Sequence, residues 1–327
     1  MRLPLCCFRT RKPTGTLPRK LVLRLVLAVL ASGCVHASTN ITELIEQLNA
    51  SAFAERETAD TALRELGRRA LPEIKAAERD PAPEIRVRAR AIRRDLFDAE
   101  IRRGFEALGQ LENDADINLE RGMWLIARLV EPELEQAPIE REFDRLAELL
   151  RLEFVRRGFD LGRKGAPGKT KPGTVPANTI VAALQSVLFK KEGFTGAPSK
   201  TYEHPDNSAI HRVLNNKHGL PILLSHVVVA VSERLDLPVY GIQVPGRYMV
   251  KVIGPTESII INPFEDAKIE SVVDLQRTRF VDPERHLLPS PHRDTLTRMM
   301  RNLIYHFDAV DEPKKAAKAT EMLGLLE

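Results

Sequence analysis

Cysteine is almost absent from this sequence of 327 residues. The three cysteines, Cys6, Cys7 and Cys34, all lie near the amino terminus. A thiolate is the group that attacks a carbonyl in cysteine-dependent catalysis, and thiolates are common metal ligands. Beyond Cys34 the chain therefore has no cysteine nucleophile, no thiolate metal site and no disulfide bond, which excludes papain-type chemistry there.

A long hydrophobic run is also missing from the start of the chain. The apolar run Leu25–Ala31 follows basic residues and is too short to span a bilayer, but it has the length of a secretory signal. Small residues then lead into Cys34, an arrangement that resembles a bacterial lipobox. Residues 1–37 are therefore predicted to be a signal segment, with a lipid on Cys34 that anchors the protein in the cell envelope (periplasmic). Two alternatives stay open: cleavage after Ala37, which would give a secreted protein, and an uncleaved tail.

The basic character of the sequence belongs to this leader. The net charge is +4, but seven basic residues and no acidic residue lie within the first 33 positions, so the rest of the chain is slightly acidic. A phosphate-binding loop is indicated only weakly by Gly168–Thr170, because Arg163 stands where the motif needs a glycine and Pro172 interrupts the required helix. We expect no nucleic-acid or nucleotide binding, and we predict a flexible basic loop over residues 162–176.

The spacing of four histidines could suggest a metal-binding site. They recur at spacings of seven, seven and eight residues: His204, His211, His218 and His226. Gly219 and Pro221 interrupt any single helix that would align them, and no closely spaced histidine pair supports zinc binding. We therefore expect no metal ion and no cofactor.

Residues 38–111 have a helical pattern. Asn40 and Glu43 have the form of a capping box, and Gly67 stands where a helix end is expected. The pattern resembles one and a half to two HEAT-like helical hairpins. The arginine-rich fourth helix is interpreted as a solvated surface.

Residues 112–290 are expected to form a second domain, followed by a closing pair of helices in residues 291–327. At the centre of this domain, Gly219 and Pro221 precede a predicted buried helix, and a Pro245–Gly246 turn separates two predicted strands. The pattern predicts a helix-rich α+β fold with a small antiparallel sheet.

Several segments of this region together resemble the SirB-type, transglutaminase-like family. The segments are a G-L-P-I-x-L-S run at the helix start, an L-P-V-x-G-I strand, a P-G-x-[FY]-x-V turn, and the stretches Asp116–Gly122, Tyr202–Ser208, Asn262–Phe264 and Arg298–Leu303. Their order and spacing extend the resemblance over residues 114–305. The resemblance implies a transglutaminase-like or papain-like core.

The resemblance also implies where a catalytic site would lie. The wider superfamily has a cysteine nucleophile at the helix start, a histidine base at the strand turn and an orienting aspartate on the next strand. The corresponding positions here are Leu223, Arg247 and Asn262. We therefore predict no catalytic residue and, instead, a binding site formed by Arg247, Tyr248, Asn262 and Ser225, with Arg247 suited to a carboxylate.

Three functions stay open from the sequence. The leading hypothesis is a secreted or lipid-anchored protein whose degenerate transglutaminase-like domain binds a protein or peptide partner. The second is an acyltransferase or amide hydrolase with a rearranged site that uses Ser225, His226 or another histidine in place of a cysteine. Ser225 and His226 are adjacent, however, and adjacent helical residues point about 100° apart. The third is a scaffold that acts through the HEAT-like hairpins.

Overall fold

The computed structural model describes residues 40–163 and 166–327. The predicted signal segment and Cys34 lie outside the described residues. The described residues divide into two compact units, the first ending at Arg90 and the second beginning at Ala91, with the division inside one long helix.

The first unit is built from short helices. They are α1 (Ile41–Gln47), α2 (Phe53–Leu66) and α3 (Leu71–Ala77), followed by the start of α4 (Pro83–Gly109). The Asn40 side chain caps α1 by accepting from the Thr42 N–H at 3.2 Å, and Gly67 ends α2 with a φ of 58°, which glycine adopts readily. The cap at Asn40 and the helix end at Gly67 are therefore confirmed.

The second unit contains most of the helices. They are α5 (Leu119–Ala127), α6 (Ala137–Arg156), α7 (Ala177–Leu184), α8 (Ile210–Asn216), α9 (Pro221–Glu233), α10 (Val272–Arg279), α11 (Pro283–His286), α12 (His292–Ala309) and α13 (Pro313–Leu326). A π-helical segment, Gln185–Lys191, continues from α7. Every residue of α9 from Ile222 to Ser232 is buried, as the all-round apolar sequence of this helix predicts.

The strands belong to the same unit. They are β1 (Gly162–Arg163), β2 (Ala166–Pro167), β3 (Thr195–Gly196), β4 (His218–Gly219), β5 (Val239–Val244), β6 (Arg247–Ile253), β7 (Ser258–Asn262) and β8 (Lys268–Glu270). Strands β5 to β8 form an antiparallel sheet in chain order, while β1 pairs with β2 inside the predicted basic loop and β3 pairs in parallel with β4. The helix-rich α+β fold with a small antiparallel sheet is confirmed.

The four-stranded sheet has a different core on each face. Alternate residues of a strand point to opposite faces. Tyr248, Val250 and Val252 join the main core, to which α9 contributes, whereas Met249 joins a smaller core with Leu275. Helix α9 packs against β5 and β6, so Tyr248 points toward this helix.

Helix α12 is fixed at its start by a distant carboxylate. Asp114 Oδ2 accepts from the His292 N–H at 2.7 Å, and Asp114 Oδ1 accepts from the Arg293 N–H at 2.9 Å. These bonds satisfy two of the amides that a helix leaves without partners in its first turn. They hold the part of α12 that carries Thr295 and Arg298. In the described portion of the chain, no helix has both the length and the apolarity needed to cross a membrane.

Candidate functional site

The three positions that correspond to the superfamily's catalytic residues lie on neighbouring elements. Leu223 is in the first turn of α9, Arg247 begins β6 and Asn262 ends β7. Helix α9 packs against β6 and against the short 3₁₀ helix Pro263–Glu265, which follows β7 directly. The order of elements that the resemblance implies is therefore present in the structure.

Leu223 lies in the apolar core. Its side chain is 1% exposed and belongs to the main buried cluster. A hydrocarbon side chain cannot donate an electron pair to a carbonyl carbon. The position at the helix start is thus structural in this chain.

Arg247 is already paired with an acidic residue. Its Nη1 donates to Glu265 Oε1 at 2.6 Å, and Lys268 Nζ lies 3.5 Å from Glu265 Oε2. The hydrogen bond from Arg247 is the main cause that lowers the pKa of Glu265. The Arg247 charge is therefore largely compensated, while its other guanidinium nitrogens remain available as donors.

Asn262 is buried and engaged in local hydrogen bonds. Its Oδ1 accepts from the Phe264 N–H at 3.2 Å, and its Nδ2 donates to Glu270 Oε1 at 3.5 Å. An amide side chain can act as donor and acceptor at once, which a carboxylate cannot do. Asn262 thus shapes the turn after β7.

Ser225 and His226 do not form a nucleophile and base pair. The Ser225 hydroxyl is directed at the Tyr248 carbonyl oxygen at 3.5 Å, whereas His226 Nε2 lies 3.2 Å from the Tyr248 hydroxyl. Both residues are buried, and burial lowers the pKa of His226 to about 3. His226 is consequently a neutral core residue, whose hydrogen bond to Tyr248 joins α9 to β6.

A chain of hydroxyl groups continues from Tyr248 toward the surface. The Tyr248 hydroxyl lies 3.1 Å from Thr295 Oγ1, which lies 2.9 Å from Ser290 Oγ. Gln243 Nε2 donates to Ser290 Oγ at 2.7 Å. These bonds connect β5, β6 and α12, and they place polar groups beside Arg298.

Of the four residues that we predict to bind a ligand, Arg247 is the one that reaches solvent. Ser225, Tyr248 and Asn262 are at most 1% exposed. A direct contact between a ligand and these three would require the surrounding core to open. In the folded structure these three buried residues would instead position Arg247 and its neighbours.

Tyr202 and Arg298 are site residues that the sequence did not single out. The Tyr202 ring meets the Phe264 ring edge-on at 5.9 Å, and the Arg298 guanidinium carbon lies 5.8 Å from the centre of the Tyr248 ring. Burial raises the pKa of Tyr202, and the charges of Arg247 and Arg298 act against this rise. Both residues stand in segments that carry the family resemblance, which is the signal that could have identified them.

The four regularly spaced histidines have separate surroundings. His204 Nδ1 accepts from the Asp206 N–H, His211 lies 3.3 Å from Glu131, His218 lies 3.1 Å from the Asn216 carbonyl oxygen, and His226 contacts Tyr248. Among residues 40–163 and 166–327, no group of three or more histidine, cysteine, aspartate or glutamate side chains could hold a metal ion.

Comparison with known proteins agrees with this geometry. A family model described as the transglutaminase-like superfamily matches residues 137–301, about half of the chain, from the start of α6 into α12. The chain therefore belongs to the transglutaminase-like superfamily.

Bacterial relatives carry the same region. A UPF0162 protein of Xylella fastidiosa (strain Temecula1) is 28% identical over 153 residues, which is 44% of this chain and 54% of that protein. A UPF0162 protein of Pseudomonas aeruginosa is 27% identical over 120 residues, 35% of this chain and 44% of that protein. The chain spans about half the length of the curated relatives it matches. No solved structure matches.

Proposed function

We propose that the transglutaminase-like region of this chain binds a protein or peptide partner without catalysing a reaction. The observation that carries the proposal is the state of the three catalytic positions. Leu223 is apolar and buried, Arg247 is paired with Glu265, and Asn262 caps a turn. None of the three can supply a nucleophile, a base near neutral pH or a carboxylate.

The surface around Arg247 has features that suit a peptide. Tyr202 is 37% exposed and meets the ring of the partly buried Phe264. Phe264 directly precedes Glu265, the partner of Arg247. Aromatic residues and arginine are enriched at the energetically important positions of protein interfaces. Glu265 uses Arg247 Nη1, so the remaining donors can bind peptide carbonyl oxygens. We call Arg247, Tyr202 and Phe264 the Arg247 surface.

Peptide selection on the purified chain tests this proposal. Peptides selected from a display library are to be measured by isothermal titration against the wild type and Arg247→Ala. We expect the substitution to weaken binding about tenfold, since a hydrogen bond to a charged donor is lost.

The matched control is Arg277→Ala, which removes an exposed arginine that is paired with Asp274 at 3.2 Å on α10. This variant should bind like the wild type. Equal affinities of the wild type and Arg247→Ala for every selected peptide would contradict the proposed surface.

We further propose that the chain works in the cell envelope, held by a lipid on Cys34. The support is the short apolar run before the small residues that precede this cysteine. Incorporation of radiolabelled fatty acid by the wild type, and its loss in Cys34→Ser, is the expected result. A secreted wild-type protein that starts after Ala37 and carries no label would contradict the anchor.

A further inference from the structure

A cavity of about 620 Å³ lies between the β5–β6 turn, which directly precedes Arg247 in the chain, and the first turns of α12. Val244 and Pro245 line it from the turn, and Leu288 and Pro289 line it from the segment before α12. Gln243 and Ser290, which end the hydroxyl chain from Tyr248, supply polar groups at its wall. A cavity of this volume is typical of small-ligand sites. Its lining is about as polar as it is apolar, because charged side chains share it with proline, valine and leucine.

The positive charge at this cavity lacks a partner. Arg298 and Arg285 line it, and Arg279 Nη1 lies 3.7 Å from where a side-chain carbon on Gly246 would stand. In the portions of the chain that the structure describes, none of these three arginines forms an ion pair. Arg247, by contrast, has Glu265.

Arg298 is the cation most removed from water. Its side chain is half-buried over the Tyr248 ring, and burial lowers its pKa. Asp294, one turn earlier on α12, also lines the cavity but does not pair with Arg298. A partly buried charge without a partner is unfavourable, so a ligand that brings the opposite charge gains this energy on binding.

The chemistry of the walls favours a singly charged carboxylate over a phosphate. The planar guanidinium of arginine matches the paired oxygens of a carboxylate and of a phosphate alike, so the distinction comes from the groups around Arg298. Asp294 would repel a doubly charged phosphate, whereas its oxygen can accept from a peptide N–H. The first amides of α12, which could otherwise bind phosphate, are already taken by Asp114.

We propose that this cavity binds the terminal carboxylate of a peptide, with Arg298 as the residue that contacts the carboxylate and Val244, Pro245 and Leu288 as contacts for an apolar last side chain. The choice of a peptide rests on the proposed function. The assignment of an anion to Arg298 rests on the unpaired charge and the cavity.

N-acetyl-leucine and N-acetyl-leucine amide are the matched probes, because they differ in the carboxylate charge. Titration of the purified full chain, followed by calorimetry or by NMR shifts, should show binding of the acid and at least about tenfold weaker binding of the amide. Arg298→Gln should abolish this preference. Arg301→Gln is the control, since Arg301 lies on the same helix and is exposed in a surface pair with Glu327 at 2.8 Å.

Thermal unfolding of the variants without ligand distinguishes a loss of binding from a loss of the folded structure. Arg298→Gln should keep or raise the melting temperature of the unliganded chain, because it removes an unpaired charge. If this variant does not fold, Arg298→Lys keeps the charge without the planar fork and should still reduce the preference for the acid.

Equal binding of acid and amide, an unchanged preference in Arg298→Gln, or tighter binding of inorganic phosphate than of the acid would overturn the inference. Peptide binding that depends on Arg247 but not on Arg298 would leave the proposed function standing and reject the carboxylate site.

Discussion

Arg247 Nη1 lies 2.6 Å from Glu265 Oε1, so the strand position that carries a histidine base in the superfamily holds one half of an ion pair here. The two side chains are 32% and 38% exposed. A pair at this exposure contributes little to folding, about 0–1 kcal/mol. Its main consequence is that Glu265 reduces the attraction of Arg247 for other anions.

Glu265→Gln should therefore strengthen the binding of acidic peptides severalfold, because it frees the Arg247 charge. The free energy of unfolding should fall by no more than about 1 kcal/mol. Isothermal titration and urea unfolding measure the two effects. Glu257→Gln removes a charge from the loop between β6 and β7 and is the control. Equal affinities of Glu265→Gln and the wild type would show that the pair does not restrain Arg247.

His226 should make folding sensitive to mild acid. Its pKa is about 3 in the folded chain against 6.5 for the free side chain, because burial opposes the charged form. Between these values the unfolded chain binds more protons, so stability rises with pH and falls as the pH drops below 6.5. Between these two pH values, His226 should change the free energy of unfolding by up to about 1.4 kcal/mol per pH unit.

Urea unfolding of the wild type and His226→Phe between pH 6.5 and 5 tests this slope. The variant should have a smaller dependence of stability on pH. Tyr248→Phe removes the hydrogen-bond partner but leaves the imidazole buried, and it should retain the slope. Identical slopes for the wild type and His226→Phe would mean that His226 takes up a proton in the folded chain.

Gly196 should not tolerate a side chain. A Cβ there would lie 2.6 Å from the Phe264 carbonyl oxygen and 2.8 Å from its ring, in the turn that Asn262 caps. Gly196→Ala should cost about 1–3 kcal/mol of stability in urea unfolding, as overpacking does. Gly324→Ala, in α13 and with open space around it, should be neutral or stabilising by up to about 1 kcal/mol. Equal effects of the two substitutions would contradict the packing of β3 against this turn.

The ion pairs of Glu142 with Arg145 and Lys217 should stabilise the chain fully near neutral pH and lose this effect in acid. A hydrogen bond from Arg145 is the main cause that lowers the pKa of Glu142, and a hydrogen bond from Lys217 adds to it, whereas burial opposes the shift. The resulting pKa is about 2, against 4.5 for the free side chain. The folded pKa is the lower one, so the contribution is complete above pH 4.5 and is lost as the pH falls toward 2.

A double-mutant cycle of Glu142→Gln and Lys217→Met measures the coupling free energy between these two side chains. Lys217 Nζ donates to Glu142 Oε1 at 2.9 Å. Because both side chains are partly exposed, the coupling at pH 7 should be about 0.5–1 kcal/mol. It should shrink at pH 3 and in high salt. A coupling that is unchanged at pH 3 would exclude the carboxylate charge as its source.

The central helix and hairpin could be predicted from local signals. Gly219 and Pro221 mark the start of α9, and Pro245–Gly246 marks the turn between β5 and β6. These signals depend on backbone preferences of single residues, which a sequence displays directly.

The surroundings of the candidate site could not be predicted in the same way. Glu265 is 18 residues from Arg247, and the pairing of β7 with β6 brings the two side chains together. Tyr202 contacts Phe264, and Arg298 lies over the Tyr248 ring, from elements far apart in the chain. The parallel pairing of Thr195 with His218 has no local pattern. Such contacts depend on the assembled fold rather than on propensity.

Mass spectrometry of peptides after equilibrium binding tests the central claim most directly. Selected peptides are incubated with the wild type, separated from the chain and weighed. Binding without chemistry predicts that they bind saturably and return with unchanged masses. A mass change that requires the wild-type chain and disappears in Ser225→Ala or His226→Ala would contradict the account and establish an enzyme.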